Sequence, residues 1–82
     1  MSLKRMIDIY LEYWLDYDTY HMLWQMACHK IIKEETWARF VKITENWVLG
    51  GEHGQSVIDK RTGDVLYQMN EDGYLVKVKK GA

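Results

Sequence analysis

Apolar side chains recur at helical spacing in the segment from Glu35 to Leu49. The stripe consists of Trp37, Phe40, Val41, Trp47 and Val48, with Thr44 in the remaining position. This i, i+3, i+4, i+7 spacing places the side chains on one face of an α-helix. Gly50 and Gly51 follow, and glycine ends helices because it readily adopts a left-handed conformation. The sequence therefore predicts a helix over 35–49 that stops at the two glycines.

A second helical pattern covers residues 20–33. Its apolar side chains lie along two sides, with Trp24, Ala27, Cys28 and Ile31 on one and Met22, Leu23 and Met26 on the other. Asp18 or Thr19 would cap the first turn, because a short side-chain oxygen accepts a hydrogen bond from an unpaired backbone N–H. If both patterns belonged to one continuous helix, the stripe through Trp24 would lie nearly opposite the stripe through Trp37. We therefore expect a break or a bend near residues 33–36.

Residues 3–17 fit two periods at once. As a helix, they place one set of apolar side chains on a common face: Leu3, Met6, Ile7, Tyr10, Trp14 and Tyr17. As a strand, they alternate between apolar and polar positions from Ile7 onwards. The run is long for a strand, and no turn residue separates it from the next helical pattern. We predict a helix and keep a strand as the alternative.

After residue 54 the apolar period changes to two. Two apolar runs, 57–58 and 65–67, flank a segment with turn chemistry. Asp59 can accept hydrogen bonds from the turn backbone, and Gly63 can adopt a positive φ. This arrangement predicts a β-hairpin.

Residues 70–73 repeat the same turn chemistry before a last apolar run at 74–79. The two turns together predict a three-stranded antiparallel meander. Its alternation places Tyr74, Val76 and Val78 on the inward face and leaves Leu75, Lys77 and Lys79 outward.

Length and composition limit the chain to one small domain. It has 82 residues, of which 48% are hydrophobic and 28% charged, with no proline and six glycines. This composition is typical of a globular chain rather than a disordered one. We predict an α+β fold in a single domain over 1–82. It would have two or three N-terminal helices in 1–49, a glycine-rich connector at 50–54 and a three-stranded antiparallel β-meander in 55–80.

Charge and cysteine content narrow the classes of protein further. The formal net charge of −1 argues against binding through a basic surplus that neutralises phosphates. The longest nearly uncharged run, 19–29, is shorter than the roughly 20 residues that span a bilayer. One cysteine makes no intramolecular disulfide, which favours a reducing compartment. We expect a cytoplasmic protein that does not enter a membrane.

The nitrogen and sulfur side chains are few: His21, Cys28, His29 and His53. His21 and His29 are about 12 Å apart along a helix, too far to share one zinc ion. We expect Cys28 to be buried and inert and the histidines to lie on the surface. The sequence thus predicts no metal site, no cofactor and no catalytic residue. An enzyme would need Glu34, His53 and Cys28 to converge from separate elements.

Large apolar side chains are more numerous in the helical half than one inward stripe per helix can hide. Trp, Tyr and Met are also enriched at protein interfaces. The sequence therefore favours a non-enzymatic interaction or regulatory protein that forms a homodimer, with a different protein as another possible partner. The expected contact residues are Tyr10, Trp14, Tyr17, Met22, Trp24 and Met26.

The alternative function is nucleic-acid binding through the C-terminal hairpin. A basic patch there would consist of Lys60, Arg61, Lys77, Lys79 and Lys80. Aromatic side chains beside such a patch can stack on bases. The predicted alternation turns Tyr74 inward, away from the lysines, and the net charge is slightly negative. Nucleic acid is therefore the less favoured partner.

Overall fold

The computed structural model describes residues 1–51 and 54–78. Its elements are α1 (Leu3–Glu12), α2 (Tyr17–Cys28), α3 (Glu34–Thr44), β1 (Trp47–Gly50), β2 (Ser56–Asp59), β3 (Val65–Met69) and β4 (Leu75–Lys77). The α+β class is confirmed, and within the described residues the sheet has four antiparallel strands instead of three. The chain divides between Glu45 and Asn46 into two compact units, one helical and one formed by the sheet.

Helix α1 resolves the ambiguity of the N-terminal segment. The Ser2 hydroxyl accepts a hydrogen bond from the Arg5 backbone N–H at 3.1 Å and so caps the helix. The helix buries Met6 and Leu11. The prediction of a helix is confirmed as far as Glu12 and is wrong for the residues that follow, which form a turn before α2.

Helices α1 and α2 end in the same kind of turn. After α1, the Trp14 N–H donates to the Leu11 carbonyl and the Leu15 N–H to that of Tyr10. These two hydrogen bonds are those of a Schellman motif, which requires a left-handed residue after the cap. Trp14 (φ 56°) and Leu15 (φ 58°) supply this conformation without glycine.

The end of α2 follows the same pattern. The Lys30 N–H donates to the Ala27 carbonyl and the Ile31 N–H to that of Met26, with Lys30 at a φ of 64°. The chain therefore does break between the second and third helices, slightly before residues 33–36. The predicted cap of α2 is wrong, because its N-cap is Asp16 and Thr19 is buried inside the helix.

The core of the helical unit is built around Phe40. Met6, Leu23, Ile32 and Phe40 are fully buried. The Phe40 ring lies 5.4 Å from that of Tyr10, 5.9 Å from that of Tyr20 and 5.5 Å from that of Trp37. Aromatic rings at these separations attract one another in addition to the gain from burial. Four aromatic side chains of the helical half thus pack against one another, with Phe40 fully buried and the other three partly buried.

The segment after α3 is a strand, so the prediction of a helix through Leu49 is wrong. Helix α3 ends at Thr44, whose hydroxyl donates to the Phe40 carbonyl at 2.8 Å. Residues 47–50 instead pair with β2 in antiparallel register, from Trp47 opposite Asp59 to Gly50 opposite Ser56. Trp47 and Val48 fit the helical stripe by spacing, but they also suit a strand, and pairing with β2 decides the outcome.

Both predicted hairpin turns are confirmed. In the first, the Asp59 carboxylate accepts from the Arg61 N–H at 2.8 Å, and Gly63 has a φ of 76°. In the second, the Asn70 side-chain oxygen accepts from the backbone N–H groups of Asp72 and Tyr74, each at 3.0 Å. These bonds stabilise the short turns that join β2 to β3 and β3 to β4, and the sheet order is β1-β2-β3-β4.

The predicted alternation in the last strand is wrong for two of its three inward residues. Tyr74 is 59% exposed and Val76 is 44% exposed, whereas Leu75 is half-buried. In β4, Val76 pairs with exposed Gln68 and Leu75 pairs with half-buried Met69, so Leu75 lies on the more buried face. Alternation in the sequence separates the two faces of a strand but does not reveal which of them is covered.

Gly50→Ala is expected to destabilise the sheet unit. Gly50 has no left-handed φ, but a Cβ there would overlap the Cδ1 methyl of Ile58 on the neighbouring strand. The Cδ1 methyl is the far end of a flexible side chain and can move aside, so we expect a cost of about 1 kcal/mol, the lower end for overpacking, measurable by urea unfolding. Ile58→Val removes the methyl, so Gly50→Ala should cost less in that background. An equal cost in both backgrounds would show that this contact is not what requires glycine.

Candidate functional site

One side of α2 carries an ordered array of exposed rings. The Tyr17 and His21 rings are stacked with their centroids 6.2 Å apart and an angle of 5° between them. The His21 and Trp24 rings are stacked at 5.4 Å and 16°. Cys28 lies one turn further along the same side and is also exposed. We call these four residues the aromatic face; their i, i+4, i+7, i+11 spacing is that of a helix-packing seam.

An open groove runs beside the aromatic face. It has a volume of about 340 Å³ and is lined by Tyr17, Tyr20, His21 and Trp24. Tyr20 connects the groove to the core, because its ring also lies 5.3 Å from that of Trp37. The wall of the groove is therefore held by the packed rings of the helical unit.

A different side of α2 packs into the protein. Leu23 and Thr19 are buried there, and Met26 packs against the core. Burial of this second side fixes the rotation of the helix about its axis. It leaves Tyr17 75% exposed and Trp24 45% exposed. The side chains of the aromatic face are thus exposed to solvent, because the other apolar side of α2 is the one that packs against the core.

The structure separates the six predicted contact residues. Tyr10 and Met26 pack against the core, and Trp14 is half-buried in the turn after α1. Tyr17 and Trp24 lie together on the aromatic face. Met22 is as exposed as Trp24, at 45%, but two residues of helix place it about 160° away around the axis.

His21 and Cys28 belong to the aromatic face and are absent from the predicted contact set. Their spacing from Tyr17 and Trp24 is visible in the sequence and identifies them once the face is known. The predicted contact set is drawn from Trp, Tyr and Met side chains. A histidine and a cysteine do not satisfy this criterion. The expectation that Cys28 is buried is wrong.

Two tyrosines of the helical unit have perturbed ionisation. Burial raises the pKa of Tyr10 above its usual value of 10.0, and the charges of Tyr20 and Asp16 raise it further. Burial also raises the pKa of Tyr20, with a smaller contribution from Glu45. Both shifts favour the neutral phenol, so the folded state binds these two protons more tightly than the unfolded chain does.

Within residues 1–51 and 54–78, no group of three or more His, Cys, Asp or Glu side chains could hold a metal ion. Glu34 begins α3 and Cys28 ends α2, both exposed. His53, the third group of the enzyme hypothesis, lies outside the described residues. No helix in the described ranges is both long and apolar enough to cross a bilayer.

The basic patch is only partly described. Lys60 and Arg61 are exposed in the turn between β2 and β3, and Lys77 is exposed in β4. Lys79 and Lys80 lie outside the described residues. The turn also carries two acidic residues, Asp59 and Asp64, so its charges balance. Balanced charge gives little attraction for a phosphate backbone.

Comparisons with protein-family models, with curated proteins and with solved structures found no match to this chain.

The helical unit is expected to lose stability above pH 10. A raised folded-state pKa contributes stability that is fully present below the unfolded value of 10.0 and is lost as the pH rises through the folded value. The variant Tyr10→Phe/Tyr20→Phe keeps both rings without ionisable hydroxyls and should lose less over this range. Urea unfolding followed by circular dichroism from about pH 9 to 12 tests this expectation.

Measurements at neutral pH control for the missing hydroxyl groups of the double variant. If the wild-type protein and the variant lost stability in parallel above pH 10, these two tyrosines would not be the groups responsible.

Proposed function

We propose that this protein is a non-enzymatic interaction module that self-associates through the aromatic face of α2. The stacked and exposed rings of Tyr17, His21 and Trp24 carry the proposal. Tyr and Trp supply a large contact area from rigid side chains and are enriched where proteins bind one another. An ordered array of such rings on a folded helix is a surface prepared for contact.

The position of Trp24 supports it as the centre of the contact. It stacks on His21, borders the groove and is 45% exposed, and it lies near the middle of the aromatic face. Residues that dominate binding are commonly aromatic side chains at the middle of an interface, surrounded by smaller contacts. Tyr17 and Cys28 flank Trp24 along the helix and would form that surround.

The size of the aromatic face limits the strength of association. Helix α2 has 12 residues and is therefore about 18 Å long. One face of such a helix is smaller than the roughly 800 Å² per partner of a standard stable interface. We accordingly propose a reversible dimer whose population rises with protein concentration.

We propose a cytoplasmic location and no cofactor for this module. An exposed single thiol such as that of Cys28 is compatible with a reducing compartment, where it does not become oxidised to a disulfide. Contact through apolar rings requires no bound group.

Trp24→Asp is expected to convert the dimer to a folded monomer. The substitution places a charge at the centre of the apolar contact, so the dissociation constant should rise about tenfold or more. Light scattering coupled to size exclusion, over a range of concentrations, measures the mass. Met22→Asp is the matched control, because Met22 has the same 45% exposure on the same helix but lies on the opposite side from Trp24.

Circular dichroism of both variants verifies that the helices remain folded. A wild-type protein that stays monomeric at every concentration would contradict the proposal. So would a dimer that Met22→Asp weakens as much as Trp24→Asp does, because the contact would then not be specific to the aromatic face.

A further inference from the structure

Charges of opposite sign stand at the two ends of α2. Asp16 is the N-cap and Asp18 lies in the first turn. Lys30 follows the C-cap, and Lys33 precedes α3. All four side chains are exposed. Lys33 is the N-cap of α3 and is followed by Glu34 and Glu35, so Lys30 is the cation that belongs to the end of α2.

The aromatic face is evenly spaced about a midpoint between His21 and Trp24. Tyr17 lies as far before this midpoint as Cys28 lies after it. If a second copy of α2 runs in the opposite direction about a two-fold axis there, His21 of one copy meets Trp24 of the other. By the same symmetry Tyr17 lies level with the second copy's Cys28. Such a contact uses the same patch on both copies, as two-fold dimers do.

We infer that two copies of this chain associate with their α2 helices antiparallel, through the aromatic face. This inference rests on the proposed self-association and adds its partner geometry. The acidic start of each helix then lies beside the basic end of the other, so the charges of Asp18 and Lys30 attract across the dimer. In a parallel pair, Asp18 would meet Asp18 and Lys30 would meet Lys30. Opposite charges steer partners together and like charges oppose them, so the charge pattern selects the antiparallel pair.

The single cysteine makes the two arrangements distinguishable. In the antiparallel pair the two copies of Cys28 are offset along the helix axis by 11 residues, or about 16 Å. A disulfide requires Cα atoms within about 7 Å, so the wild-type dimer should not cross-link. Tyr17→Cys places a new thiol level with the second copy's Cys28. In a parallel pair, Cys28 would instead lie beside Cys28.

The test is oxidation of three full-length proteins under one set of conditions: wild type, Tyr17→Cys and Tyr17→Cys/Cys28→Ser. We expect a disulfide-linked dimer from Tyr17→Cys alone, with peptide mapping showing a bond between positions 17 and 28. The third protein controls for the new thiol, because it lacks Cys28 and the two copies of its introduced thiol are also about 16 Å apart. The same 11-residue separation prevents a bond within one helix.

Each other outcome overturns the inference or the proposal beneath it. Cross-linking of the wild type, or of Tyr17→Cys/Cys28→Ser, would show a parallel pair. A dimer by light scattering with no cross-linking in any of the three proteins would show contact through another surface. A wild type that is monomeric at every concentration would refute self-association itself.

Charge exchange tests the orientation without replacing an aromatic residue. Asp18→Lys alone and Lys30→Asp alone should each weaken the dimer about fivefold at low salt, and the double variant should recover most of the loss. Asp is compatible with the left-handed backbone at position 30. In a parallel pair, each single variant would replace one like-charge contact with another and leave the dissociation constant unchanged. Unchanged dissociation constants would therefore overturn the antiparallel orientation.

Discussion

Phe40 is the side chain on which the helical unit depends, because its ring is the point where all three helices meet. It contacts Tyr10 from α1, Tyr20 from α2 and Trp37 from its own helix. Short helices such as these are marginal in isolation and gain most of their stability from packing one apolar face. Loss of this meeting point would leave each helix without the contacts that keep it folded.

Tyr20 connects this core to the protein surface. Its ring packs against the core on one side and lines the groove beside the aromatic face on the other. The buried side chains of α2, Leu23 above all, therefore fix the rotation of the helix about its axis. That rotation determines where the exposed rings lie. Because these rings are already positioned by the core, the proposed association would have a small ordering cost.

The sequence predicts the elements with local signals well. The two hairpin turns follow from Asp59 and Asn70, whose side chains bond the turn backbone as expected. The sequence does not reveal that residues 47–50 form a strand, since their spacing suits a helix and only pairing with β2 decides. For the candidate site, it identifies Tyr17 and Trp24, and helical spacing already places Met22 on the other side from Trp24. It does not reveal which side of α2 is buried, because that depends on packing in the helical unit.

The turns that end α1 and α2 have a consequence for folding. Glycine would end each helix by its own local preference, whereas Trp14 and Lys30 must be held in left-handed conformations that cost about 1–2 kcal/mol each. The packing of the three helices against one another offsets this conformational cost. The boundaries of these helices are therefore a property of the assembled unit. Helix lengths and core packing should appear and disappear together, which makes the folding of this half of the chain cooperative.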